Sequence, residues 1–215
     1  VCARLYYVIF TWDTYANDFS KVFAVWEGGL AIYGAVIGAV LAAVIFYKWR
    51  KVPIGEILDI AAPSLILGQA IGRWGNFVNQ EAFGNLVTDP AYQWFPYSVY
   101  IDRLGEWHQA TFFYESMWNL LTFAILMILR KRIKVRGGVF ALYLILYGIG
   151  RFCIESLRTD SLMAGDIRVS QWLSAILVVF GIAFLIIMSR KKMEYAAYDG
   201  IYSLSWTDEQ VAEYK

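Results

Sequence analysis

The chain has 215 residues, of which 59% are hydrophobic and 18% aromatic, with a mean hydropathy of +0.48 and a net charge of +1. That balance lies outside the range of soluble globular domains, and the near-zero net charge gives no case for nucleic acid as a partner. A multi-spanning membrane protein is predicted. Cys2 and Cys153 stand far apart and form neither a metal nor a redox spacing, so no disulfide, metal or organic cofactor is implied.

Residues 1–10 read as the end of an apolar segment. The missing initiator methionine points to absent N-terminal sequence or a cleaved leader. Residues 28–47 then run for 20 positions without a charge, long enough to cross a hydrocarbon layer of about 30 Å. Trp26 and Glu27 precede this span, Lys48, Arg50 and Lys51 follow it, and Gly34 with Gly38 form a small-xxx-small pair that permits close helix contact. Residues 57–72 are apolar but carry Asp59, Pro63, Ser64 and Gln69, which places this segment inside the bundle, facing protein or water. Residues 73–109 follow as a long outer segment, rich in Tyr and Trp, that suits the membrane interface or a small folded cap. Further spans are expected at 112–129, 137–155 and 169–189. The fold class is therefore all-α: a polytopic helical bundle with five full transmembrane helices, a partial N-terminal one and an outward cap at about 73–109. Residues 1–190 form the transmembrane domain and 191–215 a polar cytoplasmic tail.

Eleven of the 19 Lys and Arg residues fall in clusters at 48–51, 130–136 and 190–192, which five alternating spans put on one side. The positive-inside rule makes that side cytoplasmic, so Arg73 lies at the outer level. There the stretch 68–84 places Arg73 and Glu81 around Gly75, Asn76 and Asn79. Those residue types favour turns and close backbone approach, as at a helix C-cap followed by a loop or in a cradle for an oxyanion. Tyr147, Arg151, Glu155 and Arg158 share one helical face at spacings of four, four and three. They form either a structural ladder or part of a site. His108 is the only histidine, and Glu115 opens a span where a carboxylate needs a partner that Arg73 or Arg151 can supply. Arginines converging with carboxylates on one membrane face suit a phospholipid headgroup, because guanidinium grips phosphate through a planar fork. A transporter for an anionic solute is the competing class.

The run Gly72-Arg73-Trp74-Gly75-Asn76-Phe77-Val78-Asn79-Gln80-Glu81-Ala82-Phe83-Gly84 resembles the signature of bacterial prolipoprotein diacylglyceryl transferases. The segments around Trp26 to Gly34, His108 to Glu115 and Tyr147 to Glu155 are similar to that family's other motifs in the same order. The resemblance covers about residues 1–190. It implies a seven-span bacterial cell-membrane enzyme, so that about one and a half spans and a functional N-terminal tyrosine would lie outside this chain. It also implies transfer of diacylglyceryl from phosphatidylglycerol to the lipobox cysteine of a prolipoprotein signal peptide, with release of glycerol phosphate at the outer face. By matched position, Arg73 and Arg151 are implied as catalytic. Tyr33 and Glu155 join them, while Asn76, Asn79, Glu81, Gly84, Tyr147, His108 and Glu115 contribute to substrate binding. Three departures stand out: Tyr33 replaces a common histidine, as in Gram-positive-type members, Ala110 replaces a usual proline, and Cys2 a common glycine. The first leaves the identity of the general base open.

Overall fold

The computed structural model describes residues 1–190 except 17, 51, 160–162 and 166. The cytoplasmic tail expected at 191–215 lies outside the described residues. Among the described residues, five helices are long and apolar enough to cross a membrane: Ile32–Arg50, Ile54–Val78, Thr111–Leu129, Gly138–Glu155 and Val169–Arg190. The chain divides at Ile54 into two compact units, each considered by itself.

The first unit contains helix α1 (Cys2–Phe10), the single turn α2 (Trp12–Tyr15), short 3-10 segments at Phe19–Phe23 and Val25–Glu27, and the spanning helix α3 (Ile32–Arg50). Helices α1 and α3 touch through the expected glycine pair. A Cβ at Gly34 would lie 2.5 Å from the Cys2 carbonyl oxygen, and one at Gly38 would lie 2.8 Å from Cys2 Cβ, so only glycine permits this approach. Arg4, on α1, is 6% exposed and gathers the connection between the helices. Its Nε donates to Val22 O at 2.9 Å, Nη1 to Gly28 O and Gly29 O at 2.6 and 2.9 Å, and Nη2 to Lys21 O and Ala24 O at 2.5 and 3.3 Å. The guanidinium supplies donors to the carbonyls of this connection, including Lys21 O, which also takes the Ala24 N–H that ends the first 3-10 segment.

The second unit is a helical bundle with a capped end. Helix α4 (Ile54–Val78) keeps its membrane-level polar groups inside the protein: Asp59 is 0% exposed, and Gln69 Nε2 donates to Tyr143 Oη at 3.2 Å. Helices α5 (Thr111–Leu129), α6 (Gly138–Glu155) and α7 (Val169–Arg190) complete it. Ala62 and Ile66 of α4, Leu126 of α5 and Val139, Tyr143 and Leu144 of α6 form the apolar core. Small residues set the spacing. A Cβ at Gly150 would fall 2.1 Å from the Trp118 ring, whose Nε1 donates to Leu146 O at 2.8 Å, and one at Gly148 would fall 2.8 Å from Ser174 O. Such contacts replace the hydrophobic drive that is missing between helices in lipid.

Asp59 explains its own burial. Its Oδ2 accepts the Gly137 N–H and its Oδ1 the Phe140 N–H, both at 2.7 Å, so a carboxylate from α4 caps the N-terminus of α6, where free N–H groups and the helix dipole favour negative charge. Beside it, Arg136 Nε lies 3.2 Å from Glu56 Oε1.

At the opposite end, residues 79–110 form the cap. It contains a hairpin, where the all-α fold class placed no strand. Strands β1 (Ser98–Ile101) and β2 (Glu106–Gln109) pair antiparallel from Ser98↔Gln109 to Ile101↔Glu106, and Leu86 bridges the far edge of β2 at His108. A second small pair joins β3 (Met163–Ala164) to β4 (Ile167–Arg168) before α7.

Replacing Asp59 by alanine removes two hydrogen bonds to an ionised acceptor and is expected to destabilise the protein by about 3 kcal/mol. Thermal unfolding in detergent should show a lower midpoint for Asp59→Ala, with faster amide exchange at Gly137 and Phe140. Unchanged exchange at both amides would refute the capping role.

Candidate active site

The expected turn at Arg73 is helical. Helix α4 runs on through Gly72, Gly75 and Asn76 to Val78, so the cap begins after that helix and not at residue 73. Two glycines lower helix propensity here, but tertiary packing overrides them. Trp74 donates from Nε1 to Ser116 Oγ at 3.1 Å and packs edge-on against Phe112 and Phe113 of α5. Helical geometry then turns Arg73 toward α5 and α6.

There the carboxylate of Glu115 lies between two guanidinium groups. Arg73 Nη2 is 3.1 Å from its Oε1, and Arg151 Nη1 donates to its Oε2 at 3.1 Å. Arg151 Nη2 lies 2.6 Å from Glu155 Oε2, one helical turn further along α6. These side chains are nearly removed from solvent, at 22% exposure for Arg73, 14% for Arg151, 4% for Glu115 and 1% for Glu155. Arg73 and Glu115 meet as an ion pair without hydrogen-bond alignment, and the buried Arg73 Nε has no hydrogen-bond partner among the described residues. The arginine is held in place yet keeps a donor in reserve.

The chain of contacts extends outward from Arg73. Its Nη1 donates to Asn76 Oδ1 at 3.2 Å, and Asn76 and Asn79 donate from Nδ2 to Glu81 Oε1 at 2.9 and 3.4 Å. Glu81 is bracketed by two non-glycine residues in the left-handed region, Gln80 at φ 50° and Ala82 at φ 56°. That conformation costs about 1–2 kcal/mol per residue and is kept because the surrounding contacts fix it. Tyr147 lies on α6 one turn before Arg151, within electrostatic range of Glu115, Arg151, Arg73 and Glu155, and its ring stacks on Tyr143 with centroids 5.8 Å apart.

Other predicted residues fall elsewhere. Gly84 locks the cap: a Cβ there would lie 2.8 Å from Thr111 Cγ2 and 3.0 Å from Leu157 O, while its backbone forms a bridge with Arg158. His108 is buried on β2, where Nδ1 pairs with Gly84 O at 2.8 Å and Nε2 sits 3.4 Å from Glu106. Its described partners are in the cap and not among the arginines. Tyr33 belongs to the first unit, near the start of α3, 69% exposed and tilted against Tyr6. Helix α6 ends at Glu155, so Arg158 leaves the helical face that spacing assigned it and enters the cap bridge. Ser116, Gln80, Arg168 and Arg4 escaped the sequence reading. Arg168 donates to the Glu155 carbonyl, and Arg4 carried a usable signal, an arginine within an apolar segment.

Such a cluster can fix an anion through charge and oriented N–H groups in a low-dielectric setting. Removing its shared carboxylate leaves two like charges facing each other. Glu115→Ala should therefore cost about 3 kcal/mol or more of stability, with Glu115→Gln intermediate, as read from unfolding in detergent. A variant as stable as the parent would show that Glu115 does not hold the arginines.

The family model for prolipoprotein diacylglyceryl transferase matches residues 1–187. A phosphatidylglycerol–prolipoprotein diacylglyceryl transferase of Listeria monocytogenes is 50% identical over 199 residues, covering 90% of this chain and 71% of the relative. A protein of the same name from Listeria innocua is 52% identical over 200 residues, covering 90% of this chain and 71% of that protein. Another of that name, from Streptococcus pneumoniae, is 49% identical over 197 residues, covering 90% and 74%. With helices built to cross a membrane, a paired-arginine site and this similarity along nearly its whole length, the chain belongs to the prolipoprotein diacylglyceryl transferase family.

Proposed function

We propose that this chain transfers the diacylglyceryl group of phosphatidylglycerol to the thiol of the lipobox cysteine in a prolipoprotein signal peptide. The observation that carries the residue roles is the pairing of Arg73 and Arg151 through Glu115 at one end of the bundle. In the reaction the cysteine sulfur forms a bond to glyceryl carbon while the bond from that carbon to the phosphate oxygen breaks. The thiol proton leaves, and glycerol phosphate departs with one more negative charge than the phosphodiester carried. Interactions that strengthen as this charge develops accelerate the step, and guanidinium groups aimed at the phosphate have that property.

Arg73 and Arg151 take the phosphate, with Glu115 and Glu155 as positioning residues that hold both guanidiniums before the lipid arrives. Asn76, Asn79 and Glu81 set the direction of Arg73 from the other side, and Tyr147 borders the same cluster. Gly84 and His108 keep the cap seated over the ends of α5 and α6. For Tyr33 a part in proton removal or headgroup binding rests on its matched position in the family motif alone. A cysteine thiol with an ordinary pKa of about 8.5 is already a few per cent thiolate near neutral pH, so the demand on a base is modest.

Orientation follows from charge. In the second unit the arginine cluster and cap lie at one end of the helices, and Arg130, Lys131, Arg132, Lys134 and Arg136 lie at the other, between α5 and α6. The positive-inside rule turns the basic end to the cytoplasm and the site to the outer face of the bacterial cell membrane, among the lipids it uses. Arginines at a helix end, instead of the midplane, weigh against an anion transporter.

Arg73→Ala and Arg151→Ala should each lower kcat/KM about 10²- to 10³-fold, with the lysine variants recovering only part, because lysine lacks the planar fork. Mass spectrometry of a lipobox peptide incubated with phosphatidylglycerol and membranes containing the chain reads the diacylglyceryl thioether directly. Full transfer by both alanine variants would end the assignment.

A further inference from the structure

A cavity of about 340 Å³ opens beside the arginine cluster, between the last turn of α4, strand β1 and the start of α5. Phe77, Phe83, Val99, Ile101 and Phe112 supply apolar walls, and Tyr100 also borders the cavity while its ring packs on Trp107. Its polar lining comes from Asn76, Gln80, Glu81 and Asp102, a set without a cationic side chain. Such a lining repels a phosphate and suits a neutral, mainly apolar group that carries hydrogen-bond donors. Asn76 and Glu81 also belong to the contact chain that starts at Arg73, so the cavity adjoins the proposed phosphate position.

The strand that forms its wall has an open edge. Trp107 and Gln109 of β2 turn their backbone groups away from β1, since Trp107 O accepts from Val87 N at 2.7 Å and Gln109 N donates to Asn85 O at 2.9 Å. The alternation of an antiparallel ladder therefore sends the bonded groups of β1 inward at Val99 and Ile101 and outward at Ser98 and Tyr100. The outward Ser98 N–H is used by Trp94 O, and beyond β1 the Asp102 N–H is used by Gln80 Oε1 at 2.9 Å. Among the described residues, the N–H and C=O of Tyr100 have no hydrogen-bond partner. A free main-chain donor and acceptor beside an apolar hole is the arrangement by which sheet edges take extended peptides, with backbone bonds for affinity and a hole for a side chain.

We propose that this edge and cavity form the docking site for the protein substrate: the acceptor peptide lies extended along β1, bonded to Tyr100, with an aliphatic side chain next to its cysteine in the cavity. The inference rests on the transferase reading. It assigns the second substrate to the cap, on the side of Arg73 that Asn76 and Glu81 face, so the thiol arrives beside the phosphate and not through it.

Two measurements test it. In the first, the full chain carrying p-benzoylphenylalanine at position 100 is irradiated with a cysteine peptide of aliphatic neighbours, or with the same peptide bearing serine at those neighbours, without lipid. Cross-linking should fall at least about fivefold for the serine peptide. In the second, Tyr100→Pro is compared with Tyr100→Val. Proline removes only an outward N–H and is tolerated on an edge strand, so the ladder to β2 survives. The proline variant should raise the peptide KM about fivefold above the valine variant, and Val99→Trp, which fills the cavity, should raise it too, with the KM for phosphatidylglycerol moved less than about twofold. Equal cross-linking of both peptides, or equal peptide KM for proline and valine, overturns the proposal. A rise in the lipid KM alone overturns it as well and gives the cavity to the glycerol headgroup. Cross-linking without transfer in the parent chain would sink the transferase reading and leave the docking site standing.

Discussion

One carboxylate holds the second unit's functional end together. Glu115 is almost fully buried at the level where α5 enters the bundle, and a lone charge there would be prohibitive. It is stable because guanidiniums from α4 and α6 reach it from separate helices. The converse holds for the arginines, whose mutual repulsion is relieved by Glu115 and, for Arg151, by Glu155. The ionic cluster is thus also a mechanical joint among α4, α5 and α6, and placing it correctly requires each helix to be in register. Under the proposed function, a phosphate arriving there would meet donors that are already oriented, so little reorganisation would be needed as charge develops.

The rest of the bundle supplies that register. Asp59 caps α6 at the end far from the site, and Glu56 with Arg136 stands beside it, so α6 is tied to α4 at both of its ends by carboxylate chemistry. Between the ties, Gly150 leaves room for the Trp118 ring, whose Nε1 reaches Leu146 O, and Gly148 lets the Ser174 carbonyl of α7 come close to α6. Polar residues that raise the cost of inserting α4 into a membrane are the ones that fix the position of α6. The cap is tied down by different means. Gly84 slots between Thr111 and Leu157 where a larger residue would collide, and His108 binds its carbonyl from inside the hairpin. This leaves β1 as the edge that faces outward, next to the arginines and beside a hole.

Much of this was legible in the chain itself. Uncharged runs gave the spans because a hydrocarbon layer tolerates neither charge nor unpaired backbone. Glu115, Arg73, Arg151 and Glu155 stood out because ionisable groups at the membrane level demand partners. The resemblance to a known family rested on the same residues. Periodicity failed at residues 72–78, where glycines and asparagine signalled a turn but packing of Trp74 against α5 kept the helix going, and at Arg158, where the helix stops one turn short.

What the sequence by itself determined is the membrane class, the five spans and the list of charged residues that must be paired, since each follows from local composition against a bilayer. Only the tertiary structure decided who pairs with whom. Glu115 could have met either arginine and meets both, Asp59 proved to be a helix cap supplied from 78 residues away in sequence, and His108 turned inward to a carbonyl. The physical reason is range. Insertion into lipid is an energy summed residue by residue along the chain, whereas an ion pair or a cap depends on distances of about 3 Å between helices, which no local pattern encodes.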